Sequence, residues 1–457
     1  MKTFKGGVHV PDSKYLTEYL AVEQMPIVPE YFVALSQHIG APATPVVNAG
    51  DMVAEGQLIA ERKGAISANV HSPVSGEVVG LVKRMDNDGV EREYIQIKAD
   101  GNTENVVSMS PLVDPTPAEI VNRVAEAGIV GLGGAGFPTA VKLSPADVID
   151  TLLINAAECE PYLNCDNRLM IENAEEVVKG ALLTAQALGV SNVIFGIEAN
   201  KMEAYQTLSQ YEGIQVVLLK KKYPQGGEKQ LVYATTKRKV PAGKLPSAVG
   251  VAVQNVGTVY AVYQAVVLGK PLYQRVLTVS GKGVEAPKNL LVRIGTPISA
   301  IMSLCQYNAE TTVKVVDGGP MMGTTLANLN GVTTKISSGL LALTSAEASL
   351  AQPTPCINCG KCVDACPMNL MPVDIDFNAV HGDFEAAVKA GAKNCMECGA
   401  CAYVCPAKRQ IVQSVRLTKM KKANKLGLLL QMSKLLPNQS IRNQRCKQEP
   451  MQCKHQS

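Results

Sequence analysis

Two stretches near the C-terminus, CINCGKCVDACP (residues 356–367) and CMECGACAYVCP (residues 395–406), repeat one pattern of four cysteines followed by proline. Both follow C-x2-C-x2-C-x3-C-P, in which the two-residue spacers wrap the chain around one cubane of iron and sulfide. The fourth cysteine of each stretch begins a segment that points away, and so binds the other cluster. The pattern therefore predicts two [4Fe-4S] clusters, the first held by Cys356, Cys359, Cys362 and Cys405, and the second by Cys395, Cys398, Cys401 and Cys366.

Structural zinc is the alternative for clustered cysteines. Zinc sites usually show two C-x2-C pairs with a longer spacer between them. Four cysteines within eleven residues, repeated with the same proline, favour iron–sulfur clusters and single-electron transfer. The other cysteines of the thirteen lack this spacing and are expected to be ordinary thiols: Cys159, Cys165, Cys305, Cys446 and Cys453.

The composition is that of a globular protein. The 457 residues are 46% hydrophobic and 18% charged, and the length suits about three domains. We find no apolar run of about 18 residues, so no membrane-spanning helix is predicted. The N-terminus lacks the apolar core of a secretory signal, which predicts a cytoplasmic protein.

Charge is concentrated at the C-terminus. From Lys408 to Ser457 there are twelve Lys or Arg residues and one acid, Glu449. Residues 413–457 are predicted to be a basic docking tail with a short amphipathic helix at Leu426–Leu436, facing a membrane or an acidic partner. A solvated terminus is the alternative. Nucleic acid is not an expected partner, because the tail lacks interleaved aromatic residues.

The chain before the cysteines predicts a multidomain architecture of α/β and β type. Residues 1–105 read as short strands with Gly turns and resemble a lipoyl/biotinyl-type barrel-sandwich hybrid through GDMVAEGQLIA (50–60) and HSPVSGEV (71–78). Ala65 stands where such carriers have a modifiable Lys, so a docking or structural role is expected. Residues 115–268 alternate helix and strand patterns, which predicts a parallel sheet. Residues 270–345 predict a small β-grasp-like domain, and 350–412 a ferredoxin-like α+β module.

A glycine-rich loop, GIVGLGGAGFPTAVKL (128–143), lies at the start of the α/β region. Such a loop lets backbone N–H groups approach a phosphate or a flat ring, with Lys142 available for charge. It is not a Walker loop, because the G-K-[ST] ending is missing. The loop alone is therefore a weak signal for any one ligand.

The loop and three later stretches resemble the flavin-carrying, NADH-oxidising subunit of respiratory complex I. The stretches are INAAECEPY (154–162), YPQGGEKQLVY (223–233) and VGVAVQNVGTVYA (249–261). The resemblance implies an FMN- and NADH-binding domain over 115–268. This chain departs from that family in three places: the loop lacks an Arg-containing insertion, Ala157 replaces an Asp, and Gly227 replaces an acid.

The resemblance also implies the site residues. The FMN phosphate and ring would lie against Gly131, Gly133, Gly134, Gly136 and Lys142. Further FMN contacts would come from Asn155, Glu158, Asn255 and Thr258. The nicotinamide side would be formed by Phe137 and Glu228, with Glu160 nearby.

Over nearly its full length, from TFKGGVHVPD (3–12) onward, the chain resembles the RnfC family of the Rnf electron-transport complexes. This implies a translocase subunit that passes electrons between NADH, FMN and two [4Fe-4S] clusters in an ion-transporting ferredoxin:NAD oxidoreductase. Its partners would be membrane-embedded and ferredoxin-type subunits, and it would lie peripherally on the cytoplasmic face of the cell membrane. The alternatives are a cobalamin reductase of the microcompartment type and a flavin-free iron–sulfur relay or scaffold.

Overall fold

The computed structural model describes residues 1–87, 89–349 and 351–422. Most of the predicted basic tail, including Leu426–Leu436, lies outside the described residues, as do Cys446 and Cys453. The strands are β1 (Val22–Gln24), β2 (Glu30–Ala34), β3 (Thr44–Pro45), β4 (Met52–Val53), β5 (Leu58–Glu61), β6 (Val70–His71), β7 (Gly76–Met85), β8 (Glu91–Ala99), β9 (Thr151–Ala156), β10 (Asn192–Glu198), β11 (Gln215–Leu219), β12 (Val251–Asn255), β13 (Gln274–Ser280), β14 (Lys288–Arg293), β15 (Thr312–Asp317), β16 (Thr324–Thr325) and β17 (Gly339–Thr344).

The helices belong mainly to the α/β region and to the cysteine-rich region. They are α1 (Pro117–Glu126), α2 (Thr139–Lys142), α3 (Cys165–Glu172), α4 (Ala174–Leu188), α5 (Met202–Leu208), α6 (Glu228–Thr236), α7 (Val256–Val267), α8 (Ile298–Leu304), α9 (Lys361–Ala365), α10 (Pro372–Val380), α11 (Phe384–Lys389) and α12 (Ala400–Tyr403). Short 3-10 helices lie at Lys14–Leu16, Pro246–Val249 and Ala392–Asn394. Residues 411–422 are helical. Within the described ranges, none of these helices has the length and apolar character needed to cross a bilayer.

The α/β domain (residues 115–268) contains a four-stranded parallel sheet in the order β11-β10-β9-β12. Helices α3, α4, α5 and α7 pack on one face and α6 on the other, which explains why the strands are short apolar runs without alternation. The chain adds β10 and β11 on one side of β9 and then returns to place β12 on the other side. This reversal creates a crevice at the carboxyl ends of β9 and β12, where open α/β sheets bind ligands.

The N-terminal region forms two small antiparallel sheets, β2-β8-β7-β4 and β3-β5-β6, around a shared apolar core. Ala65 lies in the exposed loop between β5 and β6. The stretch before β2 is not part of these sheets. Strand β1 instead pairs with β14, and bridges join Lys2 to Leu219 and Val8 to Tyr223 of the α/β domain.

The stretch predicted to be β-grasp forms a mixed sheet in the order β1-β14-β13-β17-β15-β16. Strands β13 and β17 are parallel, and each pairs antiparallel with its outer neighbour. Helix α8 buries Ile298, Ile301 and Met302 against this sheet.

The cysteine module (residues 350–412) is built from short helices and loops. Two small cores hold it together, one between α10, α11 and residues 411–422, and one around Cys401, Ile411 and Val412. The same unusual backbone recurs in both cysteine stretches. Asn358 and Glu397 have φ of 54° and 58°, and Gly360 and Gly399 have φ of 75° and 79°. The sequence repeat is therefore also a repeat in conformation.

Candidate flavin-type site and metal centres

Two asparagines meet at the crevice of the parallel sheet. Asn155 of β9 and Asn255 of β12 are direct partners in the strand register. The Asn155 amide donates to the Gly226 carbonyl at 2.8 Å. Asn255 caps helix α7, because its Oδ1 accepts the Gly257 N–H at 2.9 Å while its Nδ2 donates to Asp166 at 2.7 Å. Both predicted FMN contacts thus lie side by side at the ligand-binding edge of the sheet.

The glycine-rich loop borders the same crevice. It is closed by a 2.9 Å hydrogen bond from the Gly131 N–H to the Phe137 carbonyl. Gly133 and Gly134 are exposed. A Cβ added at Gly133 would lie 2.9 Å from the Asn255 side chain, whereas one at Gly134 would meet no atom within 4 Å. The bare backbone of the loop therefore faces open space beside Asn255, as a cradle for a phosphate or ring requires.

Thr258 and Arg275 hold the loop from its buried side. The Thr258 hydroxyl, which is fully buried, accepts the Leu132 N–H at 3.0 Å. Arg275 donates to the Leu132 carbonyl at 3.4 Å and to the Lys335 carbonyl at 2.6 Å. In the structure Thr258 thus contacts the loop and supports the predicted site from behind.

Lys335 joins this support although it has no charged partner among its hydrogen bonds. Its ammonium is buried and donates to the carbonyls of Asn69 at 2.6 Å and Gly128 at 2.7 Å. Burial lowers the pKa of Lys335 to about 7. The sequence analysis missed Arg275 and Lys335, because a single basic residue in an apolar stretch has no spacing signature.

Lys142 and Glu228 form an ion pair on the rim of the site. The Lys142 ammonium lies 3.0 Å from the Glu228 carboxylate and also donates to the Val253 carbonyl at 3.3 Å. Both side chains remain partly exposed, at 32% and 45%. The structure therefore brings together two residues that the resemblance had assigned to different sides of the ligand.

Glu158 and Glu160 follow β9 but serve different contacts. The carboxylate of Glu158 accepts the N–H groups of Asp166 at 2.7 Å and Asn167 at 3.3 Å, at the positive end of helix α3. Its side chain is only 4% exposed. In the structure this predicted FMN contact is thus occupied in fixing helix α3.

Glu160 points toward the cysteine module. Its carboxylate accepts the Met321 N–H at 3.0 Å and lies 3.3 Å from the Tyr223 hydroxyl. The same hydroxyl donates to the Cys398 carbonyl at 2.7 Å. Burial raises the pKa of Glu160 to about 7. Glu160 therefore lies between the α/β domain and the cysteines, with Tyr223 as a link that sequence reasoning did not identify.

A cavity lined by Leu132, Asp166, Tyr260, Gln264 and Arg275 lies next to the loop. It contains none of the residues predicted to bind FMN. The candidate flavin-type site is the open crevice beside Asn155 and Asn255, and this cavity is distinct from it.

The cysteines gather in two groups that cross between the stretches. The second cysteine group, which is Cys366, Cys395, Cys398 and Cys401, lines one apolar cavity. Burial, followed by mutual proximity, raises the thiol pKa values of its members Cys398 and Cys401. The first cysteine group is Cys356, Cys359, Cys362 and Cys405. Burial raises the pKa of Cys362, and its neighbours Cys405 and Cys356 raise it further.

This donor set fits iron–sulfur clusters. Backbone N–H groups point at the sulfurs: Asn358 at Cys356 (3.4 Å), Glu397 at Cys395 (3.3 Å) and Leu370 at Cys366 (3.4 Å). Such hydrogen bonds stabilise the thiolate form that binds iron and tune the potential of the cluster.

The two groups differ in their surroundings. Cys356 and Cys359 of the first group are exposed, and so is the whole segment 351–361. The second group contacts the α/β domain: a Cβ added at Gly227 would lie 2.6 Å from the Met396 methyl, and Tyr223 bonds the Cys398 carbonyl. The second group therefore faces the flavin-type site and the first faces solvent.

Three family models match successive parts of the chain. Residues 2–102 match the RnfC barrel sandwich hybrid domain, residues 124–264 the Nuo51 FMN-binding domain, and residues 355–408 the 4Fe-4S dicluster domain. These matches confirm the predicted FMN and [4Fe-4S] cofactors and the mixed α/β, multidomain architecture.

Curated relatives match almost the whole chain. A C-type subunit of an ion-translocating oxidoreductase complex from Rhodobacter capsulatus is 43% identical over 92% of this chain and 83% of its own length. The corresponding subunit of a proton-translocating ferredoxin:NAD(+) oxidoreductase complex from Clostridium ljungdahlii is 43% identical over 92% and 94%. That of a Na(+)-translocating complex from Acetobacterium woodii is 41% identical over 91% and 96%.

Among solved structures, a chain of an NAD+-reducing [NiFe]-hydrogenase in the H2-reduced state is 18% identical, with a TM-score of 0.47 over 65% of this chain and 60% of that one. The sequence matches are far stronger. By identity and coverage, the chain belongs to the RnfC family of ion-translocating oxidoreductase complexes, the family that its motifs resemble.

Proposed function

We propose that this chain is the electron-transfer subunit of an ion-translocating ferredoxin:NAD oxidoreductase complex, and that it passes electrons between NADH and two [4Fe-4S] clusters through FMN. The observation that carries the proposal is the direct contact between the flavin-type domain and the second cysteine group. Tyr223 donates to the Cys398 carbonyl, and Met396 lies against Gly227 beside Asn155. The printed names of the relatives from Clostridium ljungdahlii and Acetobacterium woodii describe this reaction.

The residues that would hold FMN are those at the crevice. The bare backbone at Gly133 and Gly134 would approach the phosphate or ring, with Asn155, Asn255 and Lys142 around it. Bound FMN accepts two electrons as hydride from NADH and releases them one at a time, which suits clusters that carry single electrons. Phe137 and Glu228 on the open rim would meet the nicotinamide.

The four cysteines of each group would hold one cluster, in the crossed arrangement. The second group, which is buried against the α/β domain, would exchange electrons with the flavin-type site. The first group, with Cys356 and Cys359 exposed, would exchange electrons with a partner protein. An order from buried to exposed fits a chain that joins NADH to a protein partner.

The finer organisation is part of the same proposal. The mixed sheet over 270–345, with its central parallel pair and the packed helix α8, supports a β-grasp domain. Residues 413–457 would dock the chain to membrane-embedded and ferredoxin-type subunits on the cytoplasmic face of the membrane. The net excess of basic residues supports that role.

The test is anaerobic purification followed by cofactor extraction and mixing with NADH. We expect FMN, iron and sulfide in the preparation, bleaching of the flavin absorbance on NADH addition, and then loss of the broad iron–sulfur absorbance. Iron and sulfide without FMN, even after incubation with excess FMN, would instead support the relay or scaffold. Bound FMN that NADH fails to bleach would contradict the proposal.

A further inference from the structure

The N-terminal segment, residues 2–12, runs along the seam between the α/β domain and the cysteine module. At its start, the Lys2 N–H donates to the Leu218 carbonyl at 3.1 Å, and the Lys220 N–H returns a bond to Lys2 at 2.9 Å. Further on, Val8 and Tyr223 exchange two backbone hydrogen bonds of 2.7 and 2.9 Å. The segment is thus attached to the α/β domain as an extra strand would be.

The other edge of the segment contacts the second cysteine group. The Gly7 N–H donates to the Ala365 carbonyl at 2.9 Å, one residue before Cys366. The Tyr223 side chain donates to the Cys398 carbonyl at 2.7 Å. Both stretches that contribute cysteines to this group are therefore bonded to one junction, formed by residues 6–8 and Tyr223.

Two glycines are required at this junction. Gly6 and Gly7 have φ of +80° and +77°, which L-residues with side chains rarely adopt. A Cβ at Gly6 would lie 2.7 Å from the Cys366 carbonyl oxygen. A Cβ at Gly7 would lie 2.5 Å from the Tyr223 carbonyl oxygen and 2.8 Å from the Phe4 ring. The two domains are therefore as close here as bare backbone allows.

The segment is anchored on both sides of the glycines. Phe4 is 6% exposed, and Lys222 donates to its carbonyl at 3.2 Å with the ammonium 4.8 Å from its ring. Asp12 forms an ion pair with Lys221 at 2.7 Å, and its carbonyl accepts the Tyr162 N–H at 2.7 Å. The junction therefore cannot shift freely along the seam.

We propose that the junction of residues 6–8 with Tyr223 is a positioning device that fixes the distance from the flavin-type site to the cluster of the second cysteine group, and so sets the rate of electron passage between them. The inference rests on the proposed function. In the step concerned, one electron leaves the reduced flavin and arrives at the cluster. The junction forms no bond with either cofactor and is neither oxidised nor reduced.

The test compares Gly7→Ala with Gly101→Ala in the full chain. Gly101 has φ of +78°, matching Gly7, but a Cβ there would meet no atom within 4 Å. The two variants thus share the backbone strain and differ in the clash at the junction. We expect flavin bleaching by NADH to be unchanged in both, whereas reduction of the clusters in stopped flow becomes about 10- to 100-fold slower in Gly7→Ala, as displacements near 1 Å produce. Equal rates of cluster reduction in the two variants would overturn the proposal.

A second variant covers the case in which Gly7→Ala fails to fold. Tyr223→Phe keeps the backbone pairing with Val8 and removes only the hydrogen bonds of the hydroxyl, including that to Cys398. We expect slower cluster reduction and a shifted midpoint potential for one cluster, with iron and FMN contents unchanged. Wild-type rate and potential in Tyr223→Phe would overturn the proposal.

Amide hydrogen exchange separates this inference from the proposed function, because it needs no reaction with NADH. The amides of Gly7, Val8 and Tyr223 should exchange faster in Gly7→Ala than in the wild type and in Gly101→Ala. Unchanged exchange would mean that the positioning device does not exist, even if NADH reduces the flavin. Failure of NADH to bleach the wild-type flavin, with exchange altered as expected, would reject the function and retain the structural junction.

Discussion

The crossed assignment of the cysteines can be tested with paired substitutions. Cys366 belongs to the first stretch by sequence but lines the cavity of Cys395, Cys398 and Cys401. Replacing both Cys366 and Cys395 by Ala should therefore remove ligands from one cluster only. Replacing both Cys362 and Cys366, which lie in the same stretch, should remove a ligand from each cluster.

The expected magnitude follows from counting iron. Two [4Fe-4S] clusters give about eight iron atoms per chain, and a cluster that loses a thiolate ligand is expected to be lost or strongly depleted. The Cys366→Ala/Cys395→Ala variant should retain about four iron atoms, and the Cys362→Ala/Cys366→Ala variant close to none, if each [4Fe-4S] cluster needs its four thiolates. Cys305→Ala is the matched control, because Cys305 is buried in the core around α8, away from both groups.

The assay is iron and acid-labile sulfide per chain after anaerobic purification, with low-temperature electron paramagnetic resonance of the reduced protein. Cys305→Ala should keep the wild-type content, which shows that loss of a buried thiol alone does not empty the module. The reverse pattern, with the cross-stretch pair losing both clusters and the same-stretch pair losing one, would refute the crossed assignment.

Two further predictions concern the support of the glycine-rich loop. Thr258→Val removes the acceptor of the Leu132 N–H, and a buried N–H left without a partner costs about 1–3 kcal/mol, so FMN affinity measured by fluorescence quenching should fall; an unchanged affinity would show that the loop does not depend on Thr258. For Lys335, the folded-state pKa of about 7 lies below the unfolded value, so the unfolded chain binds more protons between about pH 7 and 10 and wild-type stability should rise with pH by up to about 1.4 kcal/mol per unit. Lys335→Met should lack that rise, which urea unfolding at pH 7 and pH 9 would measure, and parallel changes in both proteins would contradict the assigned burial.

Local spacing made the cysteine groups predictable. The C-x2-C-x2-C-x3-C-P pattern fixes which sulfurs lie near one another, because the loops are short and the fourth cysteine starts a segment that leaves the first cavity. The crevice at Asn155 and Asn255 was predictable for a related reason. Both residues lie near the carboxyl ends of strands in a parallel sheet, and parallel strands present those ends at one edge.

Contacts between distant parts of the chain were not predictable in the same way. The resemblance assigned Glu158 and Thr258 to FMN, yet the side chains contact helix α3 and the Leu132 N–H, because a motif gives residue identity and not the direction of a side chain. TFKGGVHVPD was a marker of family only. Its role at the seam depends on Tyr223 and Cys366, whose proximity no periodicity encodes.

Buried cations explain why the fold favours an anion at the flavin-type site. Lys335 donates to Gly128 at the start of the glycine-rich loop, and Lys201 donates to the Ala157 carbonyl directly after β9. Burial lowers the pKa of Lys335 to about 7 and that of Lys201 to about 8, so each charge is held at a cost in free energy. Their hydrogen bonds go largely to carbonyl oxygens, which orient an ammonium but do not neutralise it. A phosphate in the crevice would offset part of this cost, so the same charges that destabilise the fold would contribute to the affinity for an anionic cofactor.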